Sequence, residues 1–442
     1  MKYSHSPSAS KRIVLTTFGT HGDIVPFIGL GKALKALGHH PVLATSSYFE
    51  PLAREHGIEF APAAPHHSQL DKDLGMDQGE RLRRVFQPVV GGKFMMEKMI
   101  YPYMDQICSE LDAACEGADL LVAPPTTPWA HMVAFKRKMP WKSVIVQAIT
   151  LSLQSAQDPP VMTNFLSMRK LPGWIGEERY RRLFKIMRDS GRAFIGPLDV
   201  KAKEYGLFDK AINPLIEGTI SPLGSIALFV PQMMRTPMPT DLPGHVDFAG
   251  FNFFDGNAAP LSDDLKEFLD KGDPPIVFSL GSSLWFHADR LYPGWSKLCS
   301  KLGVRAIFLA GDKALQGQLP PTQMSVAWAS VGELFPRCKA VVNTAGCGIT
   351  SQAMKAGIPQ LLIPFGMDQP DNTARIVRMG AALTVPPSKL QSRTFESTLE
   401  RLINDTTLHD NARKLRTEIN QTCGTVTAAR LLDEELRKLL PA

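Results

Sequence analysis

The run at 343–375, NTAGCGITSQAMKAGIPQLLIPFGMDQPDNTAR, constrains the fold more than any other stretch. It follows Ala340, Val341 and Val342, an apolar run that predicts a buried strand end. Gly346 and Gly348 mark a small-residue turn, a helical pattern covers 350–355, and Gly357 and Pro359 stop it. Residues 361–363 predict the next parallel strand. A strand, glycine turn, helix and strand in this order belong to a doubly wound sheet. The helix N-terminus after the turn offers backbone N–H groups and a positive dipole end, which suits a phosphate. Asp368, Gln369, Asp371 and Asn372 follow the second strand, where such a sheet binds its ligand. Phosphate at one turn and hydroxyl-binding groups at the next point to a nucleotide sugar.

The same grammar recurs through the chain. Residues 13–18 predict a strand that runs into Gly19-Thr20-His21-Gly22-Asp23. A helix follows Pro26, beginning near Val25 and ending near Leu37, with Gly38 as its stop. Further strands are expected at 41–45, 58–61, 119–123, 142–148 and 225–231. In the second half they are expected at 275–279, 304–310, 325–328 and 381–385. The strand at 275–279 runs into Gly281-Ser282-Ser283. At 442 residues the chain is long enough for two domains. Pro237, Pro239 and Pro243 predict an extended linker between them. The expected organisation is a disordered tail at 1–11, a first domain at 12–235, a linker at 236–250 and a second domain at 251–425. A closing helix at 426–442 could pack back on the first domain.

Two segments leave alternatives open. Residues 81–104 mix arginines and lysines with Val85, Phe86, Phe94, Met95, Met96 and Met99. They read as an amphipathic surface helix broken at Pro88 and Gly91, or as an adaptable apolar wall against an acceptor. Residues 150–222 carry Met162, Phe165, Met168, Trp174, Tyr180, Phe184 and Met187 among arginines, as an acceptor cleft or a membrane-facing patch would. The formal charge of +6 is too mild to argue for nucleic acid, but suits anionic ligands or an anionic membrane surface. No CxxC pair occurs among the six cysteines, so neither a zinc site nor a disulfide framework is expected. The N-terminal residues lack a signal-peptide apolar region, and no run of 18 apolar residues occurs. A cytoplasmic protein is the expectation, with peripheral membrane contact left open.

Gly19-Thr20-His21-Gly22-Asp23 with Pro26 resembles the opening motif of family 1 glycosyltransferases. Phe251-Asn252-Phe253-Phe254, Phe278-Ser279-Leu280-Gly281-Ser282, Trp328-Ala329, Gly357-Ile358-Pro359 and Asp368-Gln369-Pro370-Asp371-Asn372 follow in the family's order. The chain is most similar to bacterial rhamnolipid-type rhamnosyltransferases and sterol glucosyltransferase-like proteins, over nearly its whole length. The resemblance implies an α/β GT-B fold, two Rossmann-like domains with a cleft between them. It also implies inverting, metal-independent transfer of a hexose from a UDP- or dTDP-sugar to an apolar small molecule or lipid. The nucleotide sugar is a co-substrate, and no cofactor is implied.

Each candidate residue carries a second reading. Asp23 matches the family's catalytic base, or caps its helix. His21 could be the base, orient Asp23, or lie on the rim. Trp328 matches the aromatic that stacks on the nucleotide base, with the backbone of Val331 at the base edge; a lone Trp is also often core. Gly281, Ser282 and Ser283 suit the diphosphate or serve as turn chemistry. Gly346, Gly348, Ile349 and Thr350 would present amides to it. Thr344 stands where the family has a histidine on the diphosphate; it can donate one hydrogen bond but brings no charge. Asp368 and Gln369 match the pair that binds sugar hydroxyls, or form a helix cap, and Asn372 lies beside them. The missing histidine keeps a non-catalytic partner of the same fold open as the alternative. A sugar epimerase is a weaker third reading.

Overall fold

The apolar runs form strands of two separate parallel sheets. The computed structural model describes residues 10–87, 90–161, 171–190, 196–207, 220–254, 256, 260–311, 315, 319–419 and 422–439. The first sheet holds β1 (Arg12–Thr16), β2 (His40–Ser46), β3 (Glu59–Ala64), β4 (Leu120–Ala123), β5 (Trp141–Ile145), β6 (Ser225–Ala227) and β7 (Val246–Phe248). Their order is β3-β2-β1-β4-β5-β6-β7, all parallel. The second holds β8 (Ile276–Ser279), β9 (Ala306–Leu309), β10 (Gln323–Val326), β11 (Ala340–Asn343), β12 (Gln360–Leu362) and β13 (Ala382–Thr384). Their order is β10-β9-β8-β11-β12-β13, again all parallel. Each sheet reverses its strand order once, between β1 and β4 and between β8 and β11. These are the crevices where open α/β sheets take ligands. The sequence-based expectation of two Rossmann-like domains in a GT-B arrangement holds.

The boundaries differ from expectation in two places, and the closing helix returns to the first half as the sequence allowed. Val246–Phe248, expected as linker, pairs with β6 (Ser225↔Val246) and extends the first sheet. The prolines all precede this strand, so none removes a ladder donor. Helix Gly424–Leu439 returns to the first half: Ala428, Ala429, Leu432 and Leu436 join Ile24, Phe27, Ile28 and Leu34 in one core. Burying each leucine contributes about 1.5–3 kcal/mol. Ser10 and Lys11, expected in the tail, are tied down: Ser10 Oγ donates to Gly38 O, and Lys11 Nζ lies 3.7 Å from Asp119.

The amphipathic reading of 81–104 holds in part: the helix ends at Val85 and another opens at Gly91, with Arg83 and Arg84 exposed and Leu82 and Val85 buried. Helix Gln78–Val85 crosses to the second half, where Leu82 packs with Leu280, Leu284 and Phe286. Met96, Ile100 and Met104 fill the first half's core. Pro88 lies outside the described residues. In the segment at 150–222, Tyr180 and Phe184 are buried in a small cluster with Ala156, Leu171 and Ile175, while Trp174 stands exposed. Met162, Phe165, Met168 and the Met187 side chain lie outside the described residues. No helix among the described residues is long and apolar enough to cross a membrane.

Candidate active site

Helix His21–Ala36 starts four residues before the expected point, and this earlier start places Asp23. Thr20 is the N-cap, so Asp23 is the third helical residue, not the cap. Its Oδ2 accepts the Thr20 N–H at 2.9 Å, the reciprocal half of a capping box. Its Oδ1 accepts from Gln147 Nε2 at 3.1 Å. Gly19, at φ +140°, makes room: a Cβ there would lie 2.1 Å from Asp23 Oδ2. Burial pushes the Asp23 carboxyl up to about 7, against the downward pull of the Thr20 amide; the charge of Asp368 adds to the rise. A carboxylate poised near neutrality is suited to general-base chemistry.

His21 does not orient Asp23. Its ring lies edge-on to Phe49 at 5.2 Å and to Tyr48 at 6.2 Å between centroids. Burial lowers its pKa, which favours the neutral imidazole. The orienting groups are Thr20 and Gln147, and no motif marks Gln147. Free space of ≈ 260 Å³ opens beside Asp23, lined by Thr17, Pro124, Pro125, Thr126, Val146 and Thr150.

Across the cleft, the two glycine turns of the second sheet stand side by side. Gly281 has φ +66° and opens the short helix Gly281–Leu284, with Ser282 partly exposed. The Ser283 side chain lies outside the described residues. Thr344 is buried, and its Oγ1 donates to Leu280 O at 3.4 Å. Its hydroxyl therefore braces the two turns and is not offered to a diphosphate. Gly346 caps helix Cys347–Ala356. Thr350 also departs from expectation: its N–H and Oγ1 both donate to Gly346 O, at 3.1 and 2.8 Å. The amides left without an acceptor inside the helix are those of Cys347, Gly348 and Ile349.

The loop after β12 is built around Asp368. Its Oδ2 accepts from Asn372 Nδ2 at 2.7 Å and from Cys347 Sγ at 3.6 Å. Burial raises its pKa to about 6, and these donors hold it from rising further. Gln369 turns its Oε1 onto the amides of Phe365 (2.8 Å) and Gly366 (3.4 Å), leaving its amino end for a ligand. Asn372 also donates to Ala345 O at 3.0 Å, which ties the Asp368 loop to the glycine turn. Its Oδ1 is buried without a hydrogen-bond partner. Asn372 lines a second space of ≈ 410 Å³ between the halves, with Pro26, Phe229, Phe251, Cys347 and Gly348. Trp328, after the edge strand β10, is 68% exposed, and Val331 opens helix Val331–Leu334 beside it. The core alternative for Trp328 is thereby removed. Cys347 Sγ lies 3.6 Å from Asp368 Oδ2, and the Asp368 charge reaches Asp23 across the cleft. Among the described residues, no group of three or more His, Cys, Asp or Glu side chains is arranged to hold a metal ion.

Comparison with known proteins agrees with this fold. The family model for the glycosyltransferase family 28 N-terminal domain matches residues 13–100. That for the erythromycin biosynthesis protein CIII-like C-terminal domain matches 304–432. An O-mycaminosyltylonolide 6-deoxyallosyltransferase of Streptomyces fradiae is 29% identical, over 96% of this chain and 97% of its own. A sterol 3-beta-glucosyltransferase of Leptosphaeria maculans is 26% identical over 97% of this chain, which spans only 29% of that protein. The solved glycosyltransferase VinC in complex with dTDP superposes with a TM-score of 0.65 at 18% identity, covering 97% of this chain and 99% of its own. Both halves thus match glycosyltransferase domains in the order their sheets occur, and the chain is a glycosyltransferase of the GT-B fold.

Proposed function

We propose that this enzyme moves a hexose, with inversion and without a metal, from a dTDP- or UDP-sugar to a hydroxyl of an apolar natural product or lipid-like acceptor. The observation that carries this reading is a track along the second sheet's C-terminal edge. Exposed Trp328 follows β10, the amides of Cys347, Gly348 and Ile349 follow β11, and Asp368 follows β12. From β10 to β12 is four strand spacings, about 19 Å, roughly the span of a base, ribose, diphosphate and hexose. The crystallised neighbour with dTDP supports a pyrimidine donor. The partnerless Asn372 Oδ1 and the Asp368 carboxylate can each accept a sugar hydroxyl. In the reaction, Asp23 takes the acceptor O–H proton as the acceptor oxygen attacks the anomeric carbon. The bond to the diphosphate breaks on the opposite face, and the three amides with their helix dipole receive the leaving charge.

The acceptor assignment rests on Pro124, Pro125, Ile145 and Val146 among the residues beside Asp23 and on the aromatic rim of His21, Tyr48 and Phe49. It also rests on the macrolide and sterol acceptors that the relatives' names carry. Six free cysteines suit a cytoplasmic setting. Exposed Trp174 and Ile186 suit peripheral contact with a membrane. The intact pair of Asp23 and Asp368 speaks against a non-catalytic partner. Mass spectrometry of reactions pairing dTDP- and UDP-hexoses with macrolide aglycones and sterols tests the reading, with NMR of the anomeric proton for inversion. No glycosylated product from any pairing would overturn it.

Trp328→Ala is expected to weaken donor binding by about 1–3 kcal/mol, or about 5- to 150-fold in Kd. Because the ring is exposed, thermal stability should hold. Because stacking is the same in ground and transition states, the loss should appear in donor KM and not in kcat. Unchanged donor KM would remove Trp328 from the site.

A further inference from the structure

The two carboxylates of the proposed reaction belong to different halves, yet one chain of contacts runs between them. Helix Gln369–Arg378 begins just after Asp368, and Arg375 lies two turns in, with its side chain fully buried. Its Nε donates to Asp371 Oδ2 at 2.6 Å, one turn earlier on the same helix. Nη2 also reaches Asp371 Oδ1, at 3.3 Å, and both terminal nitrogens extend to the first half. Nη1 donates to Asp158 Oδ2 and to Met233 O, each at 2.7 Å, and Nη2 donates to Ser152 Oγ at 2.5 Å. Asp371 Oδ1 accepts from Val161 N–H at 3.0 Å, a second crossing. Ser152 ends the short helix Ile149–Ser152, two residues after Gln147, which holds Asp23. The path therefore runs Asp23, Gln147, Ser152, Arg375, Asp371 and back along the helix to Asp368.

We propose that Arg375 is a positioning residue that sets the gap between Asp23 and Asp368. The inference rests on the sugar-transfer reading above. A dry guanidinium between two carboxylates is a poor way to gain stability, because desolvation offsets most of the attraction. Its planar fork does fix direction, and lysine cannot reproduce that with a single flexible ammonium. The register of the sugar-binding loop against the base is thereby tied to one side chain that touches no substrate.

The test compares wild type, Arg375→Lys and Ser152→Ala for transfer rate, nucleoside diphosphate affinity and radius of gyration by small-angle X-ray scattering. A misplacement of about 1 Å at a reacting pair can lower a rate about 10²-fold. Arg375→Lys is expected to lose kcat on that order, bind dTDP or UDP within about 2-fold of wild type, and expand measurably in scattering. Ser152→Ala, which keeps both ion pairs, should show the same pattern in smaller degree, and it carries the comparison should Arg375→Lys not fold. Unchanged kcat in both variants, or equal losses of kcat, nucleotide affinity and melting temperature, would overturn the proposal. Wild type without transfer would instead sink the reading it rests on, while the scattering would still decide for or against the clamp.

Discussion

Asp23→Asn is expected to lower kcat by about 10²–10⁴-fold, the usual contribution of a general base, while nucleoside diphosphate affinity stays within a few fold. The carboxylate faces the donor from the other half, so its loss removes proton transfer and leaves the nucleotide track intact. Its pH behaviour follows from its surroundings. Burial raises the folded pKa to about 7 from an ordinary 3.8, so the wild-type rate should rise with pH through about 7 and then level. The native state keeps a proton that the unfolded chain releases between pH 3.8 and about 7. Stability therefore falls as pH rises through that window. Asp368, raised to about 6, adds a fall of the same sign. Asp23→Asn removes the larger fall, so at pH 8 the inactive variant should melt above wild type, with the difference shrinking towards pH 4. A pH–rate profile and melting curves at both pH values check this. A variant with wild-type kcat would leave the base to be sought elsewhere, first at His21.

Gly19→Ala should be nearly as damaging, although alanine adds a single methyl group. The new Cβ would meet Asp23 Oδ2 at 2.1 Å and Cγ at 2.6 Å, and φ +140° is a conformation side-chain-bearing residues rarely adopt. Either the carboxylate leaves the Thr20 N–H or the turn after β1 refolds. Backbone strain of this kind costs about 1–3 kcal/mol, and displacement of the base should lower kcat/KM by about 10²-fold. Gly22→Ala is the matched control: its Cβ meets only Thr20 Oγ1, at 3.8 Å. That variant should keep activity and melting temperature. If the two alanines behave alike, the carboxylate is not held where the structure has it.

Much of this was legible because glycine turns after apolar runs have few alternatives. Both sheets, their crevices and the cluster of Asp368 with the 346–349 turn follow from that pattern. The start of the first helix was misplaced because Pro26 resembles a first-turn proline, whereas the Thr20–Asp23 spacing, three residues apart, was the truer signal. Val246–Phe248 was hidden by the prolines before it. Thr344 and Thr350 occupy motif positions, but a motif does not say which way a hydroxyl turns, and here the neighbouring carbonyls take both. Arg375 ended the most informative stretch, yet its partner Asp158 is 217 residues away and no local pattern announces the pair. Gln147 was invisible for the same reason: its partner Asp23 lies 124 residues earlier.

The track from Trp328 to Asp368 is tested most directly by thermal unfolding with dTDP, UDP, GDP and ADP. A ligand that binds only the folded chain stabilises it by about 2.7 kcal/mol at a hundred times Kd. The predicted result is a clear rise in melting temperature with dTDP or UDP, a smaller one with the purine nucleotides, and loss of the pyrimidine shift in Trp328→Ala. No rise with any of the four, or equal rises that survive Trp328→Ala, would contradict the proposed donor site.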